Sequence, residues 1–248
     1  MKKRLARRIV RRQVIERLES ALVNQSVLLY RYYLVWRYRW VEGYRAVADP
    51  LRLAVIDPNS VHERTQRRFG GAKTRYYGYV CGGQWDLHRS PFDESPKVKG
   101  IIEHFSGGQS WEKTTIYQFY RTKGESHENT MRLLDRYDQL ALAMKKRYRS
   151  SFELPQSELL EEVCVAVGRD GDVLFCGAGS HRLALAKVIA VPEIPVRVAV
   201  RHVQWQETRE RIAQEQREGI HNSTGLAGWA RHPDLADVIG GSVLRKTG

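Results

Sequence analysis

Apolar positions at the start of the chain recur at mostly four-residue steps: Leu5, Ile9, Val10, Val14, Leu18 and Leu22, with arginines between them. That spacing predicts a helix over 2–23. The next stretch, 27–47, packs Tyr30, Tyr32, Tyr33, Trp36, Tyr38, Trp40 and Tyr44 among Arg31, Arg37, Arg39 and Arg45. Its aromatics follow helical spacing, which predicts a face packed on the core or on a second copy of the chain. Asp49-Pro50 ends this run, since a residue before proline is pushed out of the helical region. Leu51–Ile56 reads as a strand closed by Asp57-Pro58-Asn59-Ser60, and 64–75 reads as a polar, basic loop. Val98–Phe105 reads as a short helix ended by Gly107-Gly108, and Trp111–Tyr120 is open between helix and strand. Glu128–Tyr148 reads as a helix, with Leu133, Leu134, Tyr137, Leu140, Ala141 and Met144 on one face.

The second half alternates element types. Val163–Val167, the turn Gly168-Arg169-Asp170-Gly171 and Val173–Phe175 predict a hairpin, because Asp-Gly between apolar runs is a strong turn signal. A helix is expected from about His181 to Ala190, stopped by Pro192, and then a strand over Ile194–Val200. Gln206–Glu218 reads as a polar helix with Glu207/Arg211 and Arg211/Glu215 at i,i+4. Mixed helices and strands without a repeat predict an α+β fold, a small mixed sheet with flanking helices.

Composition narrows the class. The 248 residues, 42% hydrophobic and 28% charged, are ordinary for a globular chain and exclude collagen-like, disulfide-dense and wholly disordered ones. Three cysteines, Cys81, Cys164 and Cys176, build no disulfide framework and suit a reducing, cytoplasmic setting. No stretch supplies the 18 or so apolar residues of a membrane span. The formal charge of +13 is uneven. Residues 1–50 hold 12 basic and 4 acidic side chains, net +8, whereas 151–248 hold 11 and 13, net −2.

The chemistry concentrates at Gly177-Ala178-Gly179-Ser180-His181-Arg182, between the hairpin and the following helix. Gly177 and Gly179 allow backbone conformations closed to other residues, and Ser180 is a good N-cap. The free N–H groups of the helix start, its dipole and Arg182 would converge on one anion, most naturally a phosphate. His181 adds a donor that could move a proton near neutral pH. A plain structural turn accounts for the same residues. His104, His127 and His221 have no metal-ligand spacing, so no protein-held metal site is expected.

Gly179-Ser180-His181-Arg182-Leu183-Ala184, after the hairpin and before Ile194-Pro195-Val196, resembles the core of the ParB/sulfiredoxin superfamily. Val55-Ile56-Asp57-Pro58-Asn59-Ser60-Val61 is similar to that family's first strand and turn. The likeness covers about 51–62 and 130–205. It implies an N-terminal arm at 1–49, a core at 50–205 with an insertion at about 63–129, and a C-terminal helix and tail at 206–248. It also implies ATP or another nucleotide, with Mg²⁺, and phosphates at Gly177, Gly179, Ser180, His181 and Arg182. Ser180 stands where sulfiredoxin has its cysteine, which argues against that reaction. An NTPase or small-molecule phosphotransferase is implied instead, and a phosphotransferase needs a carboxylate base. Asp86 is the first candidate and His181 the second catalytic group, with Asp93, Glu94 and Glu112 in reserve.

The basic arm poses a separate question. Lys2, Lys3, Arg4, Arg7, Arg8, Arg11 and Arg12 would suit DNA or RNA phosphates, as in a ParB-like DNA-binding protein or nuclease. They would equally suit an anionic membrane surface or acidic partner, or a solvated helix face.

Overall fold

The computed structural model describes residues 27–67, 69, 78–147, 162–219 and 228–240. The expected helix over 2–23 and the seven cations of Lys2 to Arg12 lie outside them. The fold is mixed α+β: an open mixed sheet with helices on its flanks. In chain order, helix α1 (Val27–Trp36) runs into a π turn (Arg37–Val41), then strands β1 (Leu53–Ile56), β2 (Glu63–Thr65), β3 (Tyr79–Cys81) and β4 (Arg89–Pro91). Helices α2 (Pro96–Phe105), α3 (Thr115–Thr122) and α4 (His127–Arg147) follow, then β5 (Val163–Val167) and β6 (Val173–Phe175). Helix α5 (Ser180–Val188), strand β7 (Ile194–His202), helix α6 (Val203–Arg217) and the short helix α7 (Ala236–Ile239) complete the order.

The sheet order is β1-β7-β5-β6-β2-β4, with β3 also on β7. The expected hairpin forms with Val165 opposite Phe175, and Gly171 takes a left-handed φ of 83° in its turn. Every residue of β5 is buried, because β6 and β7 flank it and packed side chains cover both faces. Alternation then divides it: Val163, Val165 and Val167 join one cluster with Leu134 of α4 and Leu183 of α5. Cys164 and Ala166 point to a second, with Phe69, Trp85 and Cys176.

β7 is longer than its apolar alternation predicts and also buries Arg197, Arg201 and His202. A buried cation requires a partner. For Arg201 that partner is Asp234, whose carboxylate accepts from Arg201 Nε at 2.8 Å and from Trp205 Nε1 at 2.9 Å. Arg209 Nη1 also lies 3.4 Å from that carboxylate. Together they pull the acid well below the usual carboxylate range. His232 caps the turn at Pro233–Leu235, accepting from the Asp234 N–H at 3.2 Å, and its Nε2 is 2.8 Å from the Gly171 carbonyl. The His232-Pro233-Asp234 segment thus fastens the chain end to the hairpin.

Three segments contribute in ways the sequence left open. The stretch 63–129 supplies β2, β3 and β4 to the sheet. The described part of the arm docks on the core: the Val80 N–H donates to Tyr38 Oη at 2.8 Å, and Glu210 of α6 accepts from the Arg45 and Ala46 N–H groups. The aromatic run also splits between two faces. Tyr30, Leu34 and Tyr38 are buried, whereas Tyr32, Trp36 and Trp40 face outward.

Candidate functional site

At the end of β6 the chain stays tied to β5. The Cys176 N–H donates to the Cys164 carbonyl and the Cys164 N–H to that of Ala178. Gly179 then turns with φ 85°, and α5 begins at Ser180. A Cβ on Gly179 would sit 2.7 Å from Val163 Cα, so both conformation and space demand glycine. Gly177 is not among the left-handed positions, and Gly179, not Ser180, occupies the cap. Ser180 instead lines a cavity of about 700 Å³.

That cavity lies between two helix starts. Gly177 and Ser180 bound it on the α5 side, and Ser95, Pro96 and Lys97 bring the first turn of α2 to the other. Arg64 enters from β2, its Nε donating to Ser90 Oγ at 3.0 Å. The starts of both helices, the positive ends of their dipoles, therefore border the same cavity as two cations. Phe92, Phe119 and Phe175 form an apolar wall. Among the described residues lining the cavity there is no carboxylate. Cationic and hydroxyl side chains thus share the cavity lining with three aromatic rings.

The other expected site residues are placed differently. His181 stacks on Tyr137 with ring centroids 4.5 Å apart, and its Nε2 is 3.0 Å from Tyr137 Oη. Burial, with Lys97 nearby, lowers its pKa to about 4, so the ring is neutral at pH 7. It offers no imidazolium to a phosphate. Burial raises the Tyr137 phenol, which also meets Tyr120 Oη at 3.3 Å. Arg182 does not line the cavity: its Nη1 pairs with Glu162 at 2.9 Å.

Asp86 is separated from the turn. Its carboxylate accepts from Arg169 N at 2.9 Å, Nε at 2.8 Å and Nη2 at 2.8 Å. Those contacts pull its pKa down to about 2 against the opposing effect of its burial. Arg169 follows the C-terminal end of β5, whereas Gly179 touches Val163 at its N-terminal end. A five-residue strand, about 17 Å, lies between them. Asp86 thus fixes the β3–β4 loop to the hairpin and does not reach the cavity. Asp93 and Glu94 lie closer, between the lining residues Phe92 and Ser95, and Asp93 pairs with Lys187 at 3.4 Å.

Sequence reading missed Arg64 and Lys97. Arg64 carries no local mark. Lys97 does: Ser95-Pro96 is a helix-start signature, and a lysine in a first turn without acids opposes the dipole. Such a lysine suits a helix end that receives an anion. Among the described residues no group of His, Cys, Asp and Glu could hold a metal ion. The lining offers hydroxyls and cations, so it does not form a protein-held Mg²⁺ site. Set against known families, curated proteins and solved structures, the chain matches none.

Proposed function

We propose that the protein binds a nucleotide, with its phosphates between the starts of α2 and α5 and its base against the phenylalanine wall. The carrying observation is the cavity itself: two helix N-termini, Arg64 and Lys97 converge where no described lining residue is acidic. A volume of about 700 Å³ is within the usual range for a small-molecule site. The resemblance of Gly179-Ser180-His181-Arg182 to the ParB/sulfiredoxin turn points to the same ligand class and to NTPase or phosphotransferase chemistry. In this reading Arg64 and Lys97 take the phosphate-clamping role first given to Arg182. Gly177 and Ser180 line the site at the start of α5, and His181, held neutral on Tyr137, stands outside the lining. Should a hydroxyl be phosphorylated, Asp93 or Glu94 is better placed than Asp86 to accept its proton.

Calorimetric titration of the full chain with ATP, ADP, CTP and GTP, each with Mg²⁺, tests this. At least one should bind. Arg64→Ala and Lys97→Ala should each weaken it by about 1.5–3 kcal/mol, the worth of a charge-assisted contact. Absence of binding by all four, or binding indifferent to both substitutions, refutes the proposal.

A further inference from the structure

The first described helix carries a second surface, independent of the cavity. Leu29, Tyr32, Trp36, Trp40 and Val41 are exposed by 56, 68, 55, 75 and 64%, an unusual concentration of large apolar side chains outside the core. Positions 29, 32, 36 and 40 share one face by helical spacing. The π turn adds Val41. Its Glu42 N–H bonds to the Arg37 carbonyl five residues back, so a turn holds more residues than in an α-helix. The fifth position after Trp36 is thereby rotated back toward the stripe. The opposite face, Tyr30, Leu34 and Tyr38, anchors the helix to the body.

We propose that this stripe inserts into the headgroup region of an anionic phospholipid bilayer, with α1 lying parallel to the surface. From Leu29 to Val41 the stripe is about 18 Å long, which suits a helix lying flat and falls short of a crossing. No helix among the described residues is long and apolar enough to cross a membrane. Tryptophan and tyrosine beside leucine and valine are the side chains of the water–lipid interface. Charge complementarity supports the occupant: Arg39, next to Trp40, and Arg45 are exposed against one exposed acid, Glu42, and residues 27–50 hold four arginines and two acids. A second copy is disfavoured, because a twofold contact would set this cationic edge against itself. Nucleic acid is disfavoured because Leu29 and Val41 offer nothing to base stacking.

The test is sedimentation of the full chain with phosphatidylcholine vesicles, with and without phosphatidylserine, together with tryptophan emission. Binding should require phosphatidylserine, weaken with salt and shift emission to the blue. The double variant Trp36→Ala/Trp40→Ala changes only exposed side chains, so its fold, checked by circular dichroism, should persist. It should bind roughly tenfold or more weakly and lose the shift. Failure to bind either vesicle, or equal binding by the folded double variant, overturns the proposal. So does stripe-dependent dimerisation without vesicle binding, or stripe-dependent binding of a single-stranded oligonucleotide in its place.

Discussion

Asp86→Asn distinguishes a structural carboxylate from a catalytic one. The substitution keeps the shape of the side chain but turns one acceptor oxygen into a donor facing Arg169, whose N, Nε and Nη2 all donate to this carboxylate. A pKa lowered from 3.8 to about 2 corresponds to about 2.5 kcal/mol of folding stability, at about 1.4 kcal/mol per tenfold change in proton affinity. Arg169 is reachable by solvent, which trims the figure to about 1–2 kcal/mol. The sign follows from the lowered value. The contribution is fully present above the unfolded pKa near 4 and is lost as pH falls through about 2. Urea unfolding at pH 7 should therefore show the variant less stable by about 1–2 kcal/mol. The gap should close progressively between about pH 5 and pH 2, as the native carboxyl is protonated. Nucleotide affinity should stay within twofold. A gap independent of pH would refute the ion-pair account. Unchanged stability with abolished nucleotide turnover would return Asp86 to the role of base.

Gly179→Ala should cost about 2–4 kcal/mol in urea unfolding, combining the left-handed backbone with a Cβ 2.7 Å from Val163 Cα. A loss under about 0.5 kcal/mol would show that the turn relaxes freely. The His181 ring, followed by proton NMR, should remain neutral from pH 8 to about 5, with its midpoint near 4. Because its folded pKa lies below the usual 6.5, it takes up protons on unfolding, and its effect on stability worsens as pH falls from about 7 toward 4. A midpoint near 6.5 would contradict the burial on Tyr137.

Elements set by short-range physics were legible beforehand. The hairpin Val163–Phe175 follows from alternating valines around Asp-Gly, and helix α4 from a stripe running to Met144. The turn at Gly179 was legible too, since a glycine before a helix start marks a backbone that a side chain would obstruct. The lining of the cavity was not. Arg64 and Ser180 are brought together only because β2 pairs in parallel with β6, a contact between residues 64 and 175 that no local pattern encodes. The partner of Asp86 was hidden for the same reason, since Arg169 lies 83 positions away.

By itself the sequence determined the hairpin Val163–Phe175, helices α4 and α5 and the strand that follows, and that the cationic excess lies before residue 151. Only the tertiary structure decided which charges are already spent. Arg182 is taken by Glu162, Asp86 by Arg169 and Arg201 by Asp234, which leaves Arg64 and Lys97 at the cavity. It also decided which aromatics of α1 face the core and which face outward. Local propensity depends on neighbours in the chain. Neutralisation of a charge and burial of a ring depend on what long-range pairing sets beside them.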